Sequence, residues 1–259
     1  MAPELLTMMS LDIRNRMKPI LLSEMKGICL MNRIDTKYMM PVSMLPQLLT
    51  RLEHDFRIQQ VNGQTVGQYW TLYYDTKELE MYLNHHNCRL PREKIRMRTY
   101  LDSNLTFLEI KRKSNKGRTS KERIQLPLNT DRFMRLGPDV HDFLAMYSTY
   151  SEADLFPQIN SMFNRITLVN NNKSERITID TNLNFSNCQT GETASVPELM
   201  IIELKQDGKV SSKLKECLTE YRIFPGSISK YCLGTILTNP TVKSNQFKRK
   251  LRTIQKLTR

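Results

Sequence analysis

The stretch KIRMRTY, residues Lys94–Tyr100, alternates basic side chains with apolar or small ones. Successive side chains of a β-strand point to opposite faces of its sheet. Lys94, Arg96 and Arg98 therefore share one face, while Ile95 takes the other. The stretch predicts a strand with one cationic face and one face suited to a core.

The same alternation recurs along the chain. It is found in Phe107–Lys113, Lys121–Leu126, Asn164–Leu168, Arg176–Ile179 and Ile202–Lys205, and a related charged face carries Arg33, Asp35 and Lys37. Asn- and Gly-rich clusters such as Asn62-Gly63 between these stretches are typical of hairpin turns, and strands joined by short turns pair antiparallel. Helices are predicted near 4–18, 43–54, 77–85, 130–149 and 211–222. The sequence predicts an α+β protein centred on one antiparallel sheet.

A charged face so rich in Lys and Arg is unusual for a solvated sheet, and a twisted sheet of many strands often closes. Like charges about 7 Å apart repel by roughly 0.6 kcal/mol in water, but by about 2.4 kcal/mol at an effective dielectric near 20. A bound polyanion would relieve this repulsion, and Arg offers phosphate two parallel hydrogen bonds. We therefore expect a closed antiparallel β-barrel of about eight strands, with helices packed on the outside and a basic tunnel that binds phosphates.

Composition is consistent with this expectation. The 259 residues carry 39 Lys+Arg against 26 Asp+Glu, a net charge of +13, which indicates an anionic partner. Five scattered cysteines form no metal-ligand spacing, and no signal peptide or membrane span is apparent. We expect a cytoplasmic protein, with a position at the inner face of a membrane left open. The basic strands lack exposed aromatic interleaving, so no nucleic-acid partner is expected.

A family resemblance rests on an ordered series of motifs. They are RIDTKY (33–38), YDT (74–76), KIRMR (94–98), EIK (109–111), KER (121–123), NR (164–165), RITID (176–180), IELK (202–205) and SKY (229–231). In this series the chain resembles the vacuolar transporter chaperone (VTC) polyphosphate polymerase domain of the triphosphate tunnel metalloenzyme (CYTH-like) superfamily. The first strand has Arg33, Asp35 and Lys37 where the superfamily typically has Glu-x-Glu-x-Lys, which fits the VTC branch better than the hydrolytic one.

The resemblance implies a polyphosphate polymerase that transfers the terminal phosphoryl group of ATP to a growing inorganic polyphosphate chain, with Mn²⁺ or Mg²⁺. It implies catalytic roles for Lys37, Arg96, Arg98, Lys111, Arg165, Arg176, Glu203 and Lys230. It implies substrate-binding roles for Arg33, Lys94, Lys113, Lys121, Arg123, Lys205 and Ser229. Glu203 is the expected metal ligand, with Glu109 or Asp180 as helpers. A triphosphate hydrolase or cyclase of the same fold, and a subunit that binds polyphosphate without making it, remain alternatives.

Three segments are expected along the chain: an N-terminal helical segment (1–30), the tunnel domain (31–240) and a basic C-terminal tail (241–259). The tail has apolar residues near helical spacing, so a peripheral membrane or membrane-protein partner, a hold on departing product and a solvated helix are all open for it. His85 and His86 are expected at the surface, because adjacent helical residues diverge and no third metal ligand lies nearby.

Overall fold

A computed structural model describes residues 12, 16–25, 33–127, 138–208 and 210–258. The strands are β1 (Pro19–Leu21), β2 (Arg33–Pro41), β3 (Phe56–Gln60), β4 (Gly67–Asp75), β5 (Arg92–Tyr100), β6 (Leu105–Lys113), β7 (Thr119–Leu126), β8 (Phe156–Asn170), β9 (Glu175–Asn187), β10 (Thr193–Val196) and β11 (Leu199–Asp207). The helices are α1 (Leu22–Met25), α2 (Leu45–Leu52), α3 (Glu80–His86), α4 (Pro138–Tyr147), α5 (Lys213–Glu220), α6 (Lys230–Thr238) and α7 (Lys248–Leu257).

All eleven strands belong to one sheet, whose main path runs β2-β11-β9-β8-β4-β5-β6-β7. Every neighbouring pair on this path is antiparallel. The hairpin between β5 and β6 turns at Asn104, and the one between β6 and β7 at Gly117; both residues have positive φ. The predicted α+β class and the antiparallel sheet are confirmed.

The predicted closure of the barrel is not confirmed. No ladder joins β2 to β7 among the described residues, although side chains from both strands line one cavity. The free edge of β2 is engaged elsewhere, because the Gly226 N–H donates to the Lys37 carbonyl at 2.8 Å. The other edge strand, β7, is largely exposed and carries Lys121, Glu122 and Arg123, which suits an edge that stays unpaired. The sheet curves around a cavity and remains open between β2 and β7.

Helices cover the convex face of the sheet, opposite the cavity. Leu45, Leu48 and Leu52 of α2 pack with α5 on one half, beneath apolar residues of β2, β8, β9 and β11. Phe143 and Leu144 of α4 cover the other half, beneath β4, β5 and β6. The predicted helices at 43–54, 77–85 and 211–222 correspond to α2, α3 and α5. The predicted segment 4–18 lies mostly outside the described residues, as does the first part of 130–149.

Helix α6 contradicts the expectation that all helices lie outside. It packs with Tyr73, Ile159 and Phe185, and Tyr73 pairs with Arg96, which places it on the concave, charged side of the sheet. Apolar residues at one end of that side give α6 a surface to bury. One end of the cavity is therefore filled by a helix.

Buried polar contacts hold α6 in place. The Tyr231 hydroxyl donates to Asp75 at 2.5 Å, and the same carboxylate accepts the N–H groups of Thr76, Met81 and Tyr82. Burial raises the pKa of Asp75 even though these hydrogen bonds oppose the shift. The YDT and SKY motifs, distant in sequence, thus meet at one carboxylate that joins β4, α3 and α6.

The C-terminal segment folds back on the same region. Phe247 and Ile254 are buried in the cluster that contains α6, while Lys248, Arg249 and Arg252 face outward. His86 is 1% exposed and its Nε2 accepts the Gln246 N–H at 3.3 Å, so the surface position predicted for it is wrong. No helix of the described residues is long and apolar enough to cross a membrane.

The close approach of α6 to the sheet yields a test. A Cβ at Gly234 would lie 2.7 Å from Ile159 Cγ2 and 2.7 Å from Phe185 Cδ1. Gly234→Val should lower the free energy of unfolding by about 3 kcal/mol, because neither neighbour can move freely. Gly226→Val is the control, since its Cβ would meet only Met39 at 3.7 Å, and it should cost less than about 1 kcal/mol. Equal urea midpoints for the two variants would contradict the packing.

Candidate functional site

Strand β5 contributes three basic side chains to the site. Lys94, Arg96 and Arg98 line the cavity, while Ile95 and Met97 are buried in the convex core. The period-two alternation seen in the sequence therefore separates the site from the core on a single strand. Its neighbours in the sheet repeat the division.

The cavity measures about 610 Å³ and is strongly basic. Eleven Lys and Arg side chains line it: Lys37, Lys94, Arg96, Arg98, Lys111, Lys121, Arg123, Arg165, Arg176, Lys205 and Lys230. Glu203 and Ser229 line it as well. The structure thus brings together almost all of the predicted site residues, and the roles assigned to them remain predictions.

Two predicted residues stand apart. Lys113 is on β6, one two-residue step beyond Lys111, and does not line the cavity. Arg33 begins β2, opposite Asp207 of β11, but its side chain lies outside the described part of the chain.

Glu109 is a buried acid between two cations. Its side chain has no exposed area; Oε2 accepts from Arg96 Nε at 2.8 Å and Nη2 at 2.6 Å, and Oε1 pairs with Lys121. Burial alone would raise its pKa, but the attraction of Arg96, Arg98 and Lys121 outweighs burial and lowers it. Because both oxygens are engaged by cations, the geometry does not favour Glu109 as a helper to a metal ion.

Asp180 forms a second cluster of the same kind. Arg165 donates two hydrogen bonds to its carboxylate, from Nε to Oδ1 at 2.5 Å and from Nη2 to Oδ2 at 2.7 Å. Lys230 of α6 also forms an ion pair with it. Burial opposes ionisation of Asp180, yet Arg165 and Lys230 together lower its pKa. Asp180 therefore ties the helix at the end of the cavity to strands β8 and β9.

Glu203 is the most exposed of the three acids. Its side chain is 16% exposed, pairs with Lys37 at 2.7 Å and lies 3.9 Å from Lys205. The two lysines lower its pKa despite the opposing effect of burial. Of the three carboxylates, Glu203 has the greatest freedom to exchange a cationic partner for a ligand in the cavity.

The donor set limits what kind of metal could bind. No group of three or more His, Cys, Asp or Glu side chains comes together in the described part of the chain. A hard divalent cation such as Mg²⁺ does not need such a group, because one or two carboxylates, water and substrate phosphates can complete its coordination. Glu203 fits that shared arrangement, and an all-protein cage does not.

The cavity lysines lose affinity for protons. Burial is the main cause, and neighbouring cations add to it: the pKa falls to about 7 for Lys111 and to about 8 for Lys94, Lys205 and Lys230. The pKa of Arg98 is lowered for the same reasons, first by burial and then by the neighbouring charges of Arg96 and Arg165. In the ligand-free site these lysines therefore lose part of their positive charge at and slightly above neutral pH.

Sequence reasoning missed the aromatic residues of the site. The Arg165 guanidinium lies 4.9 Å from the Tyr69 ring centroid, Lys230 lies 4.2 Å from Phe163, and Arg123 lies 4.6 Å from Phe107. Faces of aromatic rings attract cations. The alternation of Tyr69, Thr71 and Tyr73 could have placed these side chains on the cavity face. It was overlooked because the whole stretch Tyr69–Tyr74 is apolar or aromatic enough to be assigned to the core. Trp70 and Tyr74 are indeed buried in the convex core.

The buried position of Glu109 predicts a loss of stability in Glu109→Gln. Removing its charge leaves Arg96 and Lys121 uncompensated, so the free energy of unfolding should fall by about 3 kcal/mol at pH 7. Because the pKa of Glu109 is lowered from 4.5 in the folded chain, this difference should be fully present above pH 4.5 and shrink as the pH falls. Glu216→Gln, on a 57% exposed side chain that pairs with Lys213, should change stability by less than about 0.5 kcal/mol. Urea titrations across this pH range test both expectations; matching losses would contradict the assignment.

The lowered lysine pKa values predict proton uptake on anion binding. Long-chain polyphosphate is a suitable probe, since its interior phosphates hold no proton near neutral pH. A bound polyanion restores the charge of the four lysines with pKa values of about 7 to 8, so binding at pH 8 should take up about two protons per chain or slightly more, and almost none at pH 6. Calorimetry in two buffers of different ionisation enthalpy measures the difference. Lys111→Arg should lower the uptake at pH 8 by nearly one proton while binding persists, and unchanged uptake would contradict the assignment.

No curated protein matches the chain. Among solved structures, a candidate adenylate cyclase from Vibrio parahaemolyticus is 12% identical with a TM-score of 0.45, and the match covers 78% of this chain and 97% of that one. A candidate adenylyl cyclase from Hippeastrum, described as having a dominant triphosphatase activity, is 13% identical with a TM-score of 0.45 over 79% of this chain and 95% of that one. Likenesses of this degree carry no argument about function.

The family comparison is more direct. The model of the family described as the VTC domain matches residues 32–239, which is most of the chain. The match spans β2 through α6, the elements that line the cavity and fill one of its ends. The resemblance inferred from the motifs is confirmed, and the chain belongs to the VTC domain family.

Proposed function

We propose that this chain transfers the terminal phosphoryl group of ATP to a growing inorganic polyphosphate chain inside its basic cavity. The observation that carries the proposal is the charge of the cavity: among the described residues, eleven Lys and Arg side chains line it with three carboxylates, Asp102, Asp180 and Glu203, and Glu109 lies buried against Arg96 and Lys121. Such an excess suits a ligand with closely spaced negative charges, and the VTC domain match relates the chain to polyphosphate. The proposal includes closure of the open sheet into a tunnel when the ligand binds.

The chemistry asks little of the protein beyond position and charge. Phosphoryl transfer passes through a loose transition state whose equatorial oxygens carry the charge, and in-line placement supplies much of the rate. Arg96 and Arg98 would hold phosphate oxygens with paired N–H groups, while Lys37 and Lys111 would act as point charges. The acceptor phosphate is already ionised near neutral pH, so a general base is not needed.

Glu203 would hold a divalent cation together with phosphate oxygens, and Lys37 and Lys205 would then be released to the phosphates. A bound Mn²⁺ or Mg²⁺ supplies neutralisation of charge on the transferring group. Glu109 and Asp180 would keep Arg96 and Arg165 aligned without contacting substrate, since both acids are already bonded to these guanidinium groups. The exposed basic side of α7 is a further place where an anionic membrane surface or departing product would bind.

The decisive experiment is incubation with ATP and Mn²⁺, followed by gel analysis for polymer. The proposal expects a polyphosphate ladder from the wild-type chain. Free phosphate from short triphosphates, a cyclic nucleotide, or binding without turnover would instead assign the chain to the hydrolase, cyclase or binding-subunit alternatives.

Glu203→Gln sharpens the same experiment. It should reduce metal-dependent product at least about a hundredfold, while tripolyphosphate binding without metal stays within about threefold of wild type. Glu216→Gln, on the exposed side of α5, serves as the matched control and should leave product formation unchanged. Full polymer formation by Glu203→Gln would remove Glu203 from the role of metal ligand.

A further inference from the structure

One side of the cavity mouth is aromatic rather than cationic. Tyr69, Tyr100 and Phe107 all line the cavity; the rings of Tyr69 and Tyr100 lie 5.0 Å apart, and those of Tyr100 and Phe107 lie 5.9 Å apart at right angles. Leu105, paired with Tyr100 across β5 and β6, also lines the cavity and is 38% exposed. A chain of inorganic phosphates has no apolar group that could bury this partly exposed surface.

The position of these rings relative to the cations is specific. Along β5 the cavity side chains run Lys94, Arg96, Arg98 and then Tyr100, so the ring of Tyr100 follows Arg98 by one two-residue step of about 7 Å. Across the ladder Phe107 pairs with Arg98. A triphosphate held by Arg96 and Arg98 with its terminal phosphate toward Lys94 would have its organic end beside these two rings.

The polar groups at the mouth indicate how such an organic end would be bound. Arg123 lies with its guanidinium 4.6 Å from the Phe107 centroid and is itself exposed, so its outer face is open to a second flat group. Asp102, on the turn after Tyr100, uses one carboxylate oxygen to accept the Gln68 N–H at 2.9 Å. The rings and the guanidinium offer flat surfaces at this side of the cavity, and stacking on such surfaces does not depend on the identity of a base.

We propose that Tyr100, Phe107 and Arg123 form a nucleobase subsite for the donor nucleotide, an inference that rests on the proposed use of a nucleoside triphosphate. The base stacks against the ring of Tyr100, with Phe107 and Arg123 beside it, and the triphosphate extends along β5 toward Lys94. Because every base has a π-face, this subsite favours nucleoside over inorganic triphosphates and discriminates weakly among bases, with purines ahead of pyrimidines.

The test compares ATP with tripolyphosphate, which has the phosphates but no base. Tyr100→Ala should raise the dissociation constant for ATP about tenfold, the expected loss for one stacked base, and leave that for tripolyphosphate within about twofold. Tyr100→Phe keeps the ring and should bind both ligands as wild type does. Phe224→Ala is the control for loss of an aromatic side chain, since Phe224 is 71% exposed and does not line the cavity.

The outcomes separate this subsite from the proposed reaction. A selective loss of ATP affinity in Tyr100→Ala, restored in Tyr100→Phe, supports the subsite whether or not the wild-type chain makes polymer. Equal losses for ATP and tripolyphosphate, or no loss for ATP, overturn it even if polymer is made. If urea unfolding shows that an equal loss reflects a damaged fold, the wild-type chain decides: the subsite requires it to bind ATP more tightly than tripolyphosphate, and equal affinities overturn the subsite.

Discussion

Repulsion among like charges on the concave side of the sheet is the constraint on which the rest of this structure depends. Eleven cationic side chains share one cavity of about 610 Å³, where the low effective dielectric makes each unfavourable pair more costly than in water. The carboxylates of Glu109, Asp180 and Glu203 offset part of this cost, and each lies between two cations. The repulsion that remains, together with burial, lowers the pKa values of the cavity lysines. The folded chain holds its site in a state that a polyanion stabilises.

The same strands that carry the cations also build the core. Ile95 and Met97 alternate with Lys94 and Arg96, so a core face exists only because the charged face points away from it. Helices α2, α4 and α5 bury that core face, and their packing fixes the curvature that brings β2 and β7 to one cavity. Stability and ligand binding are therefore coupled through register, since a slip of one residue would exchange the two faces of a strand.

Much of this could be predicted from sequence because alternation is a local property. The basic face of β5, the antiparallel order of the hairpins and the cationic residues that β2, β5–β9 and β11 bring to the cavity follow from side-chain direction within single strands. Ser229 and Lys230 could be predicted only through the family resemblance, because they begin a helix. The position of α6 could not be predicted this way, because no helix is predicted over its residues KYCLGTILT and nothing local states which side of the sheet it covers. The pairing of Glu109 with Arg96 follows from cross-strand register, whereas that of Asp180 with Lys230 joins residues fifty positions apart.

Under the proposed function, the open edge of the sheet bears on how a long polymer would reach the site. A fully hydrogen-bonded ring admits a chain only by threading one terminus through a mouth, a slow search for a flexible polymer of many units. Here the backbone at Lys37 is met by Gly226, on the segment that leads into α6, rather than by β7. Loops part at far smaller free-energy cost than strands in a ladder. Such a gap would allow the middle of a preformed chain to be laid in sideways, making capture independent of where its ends are.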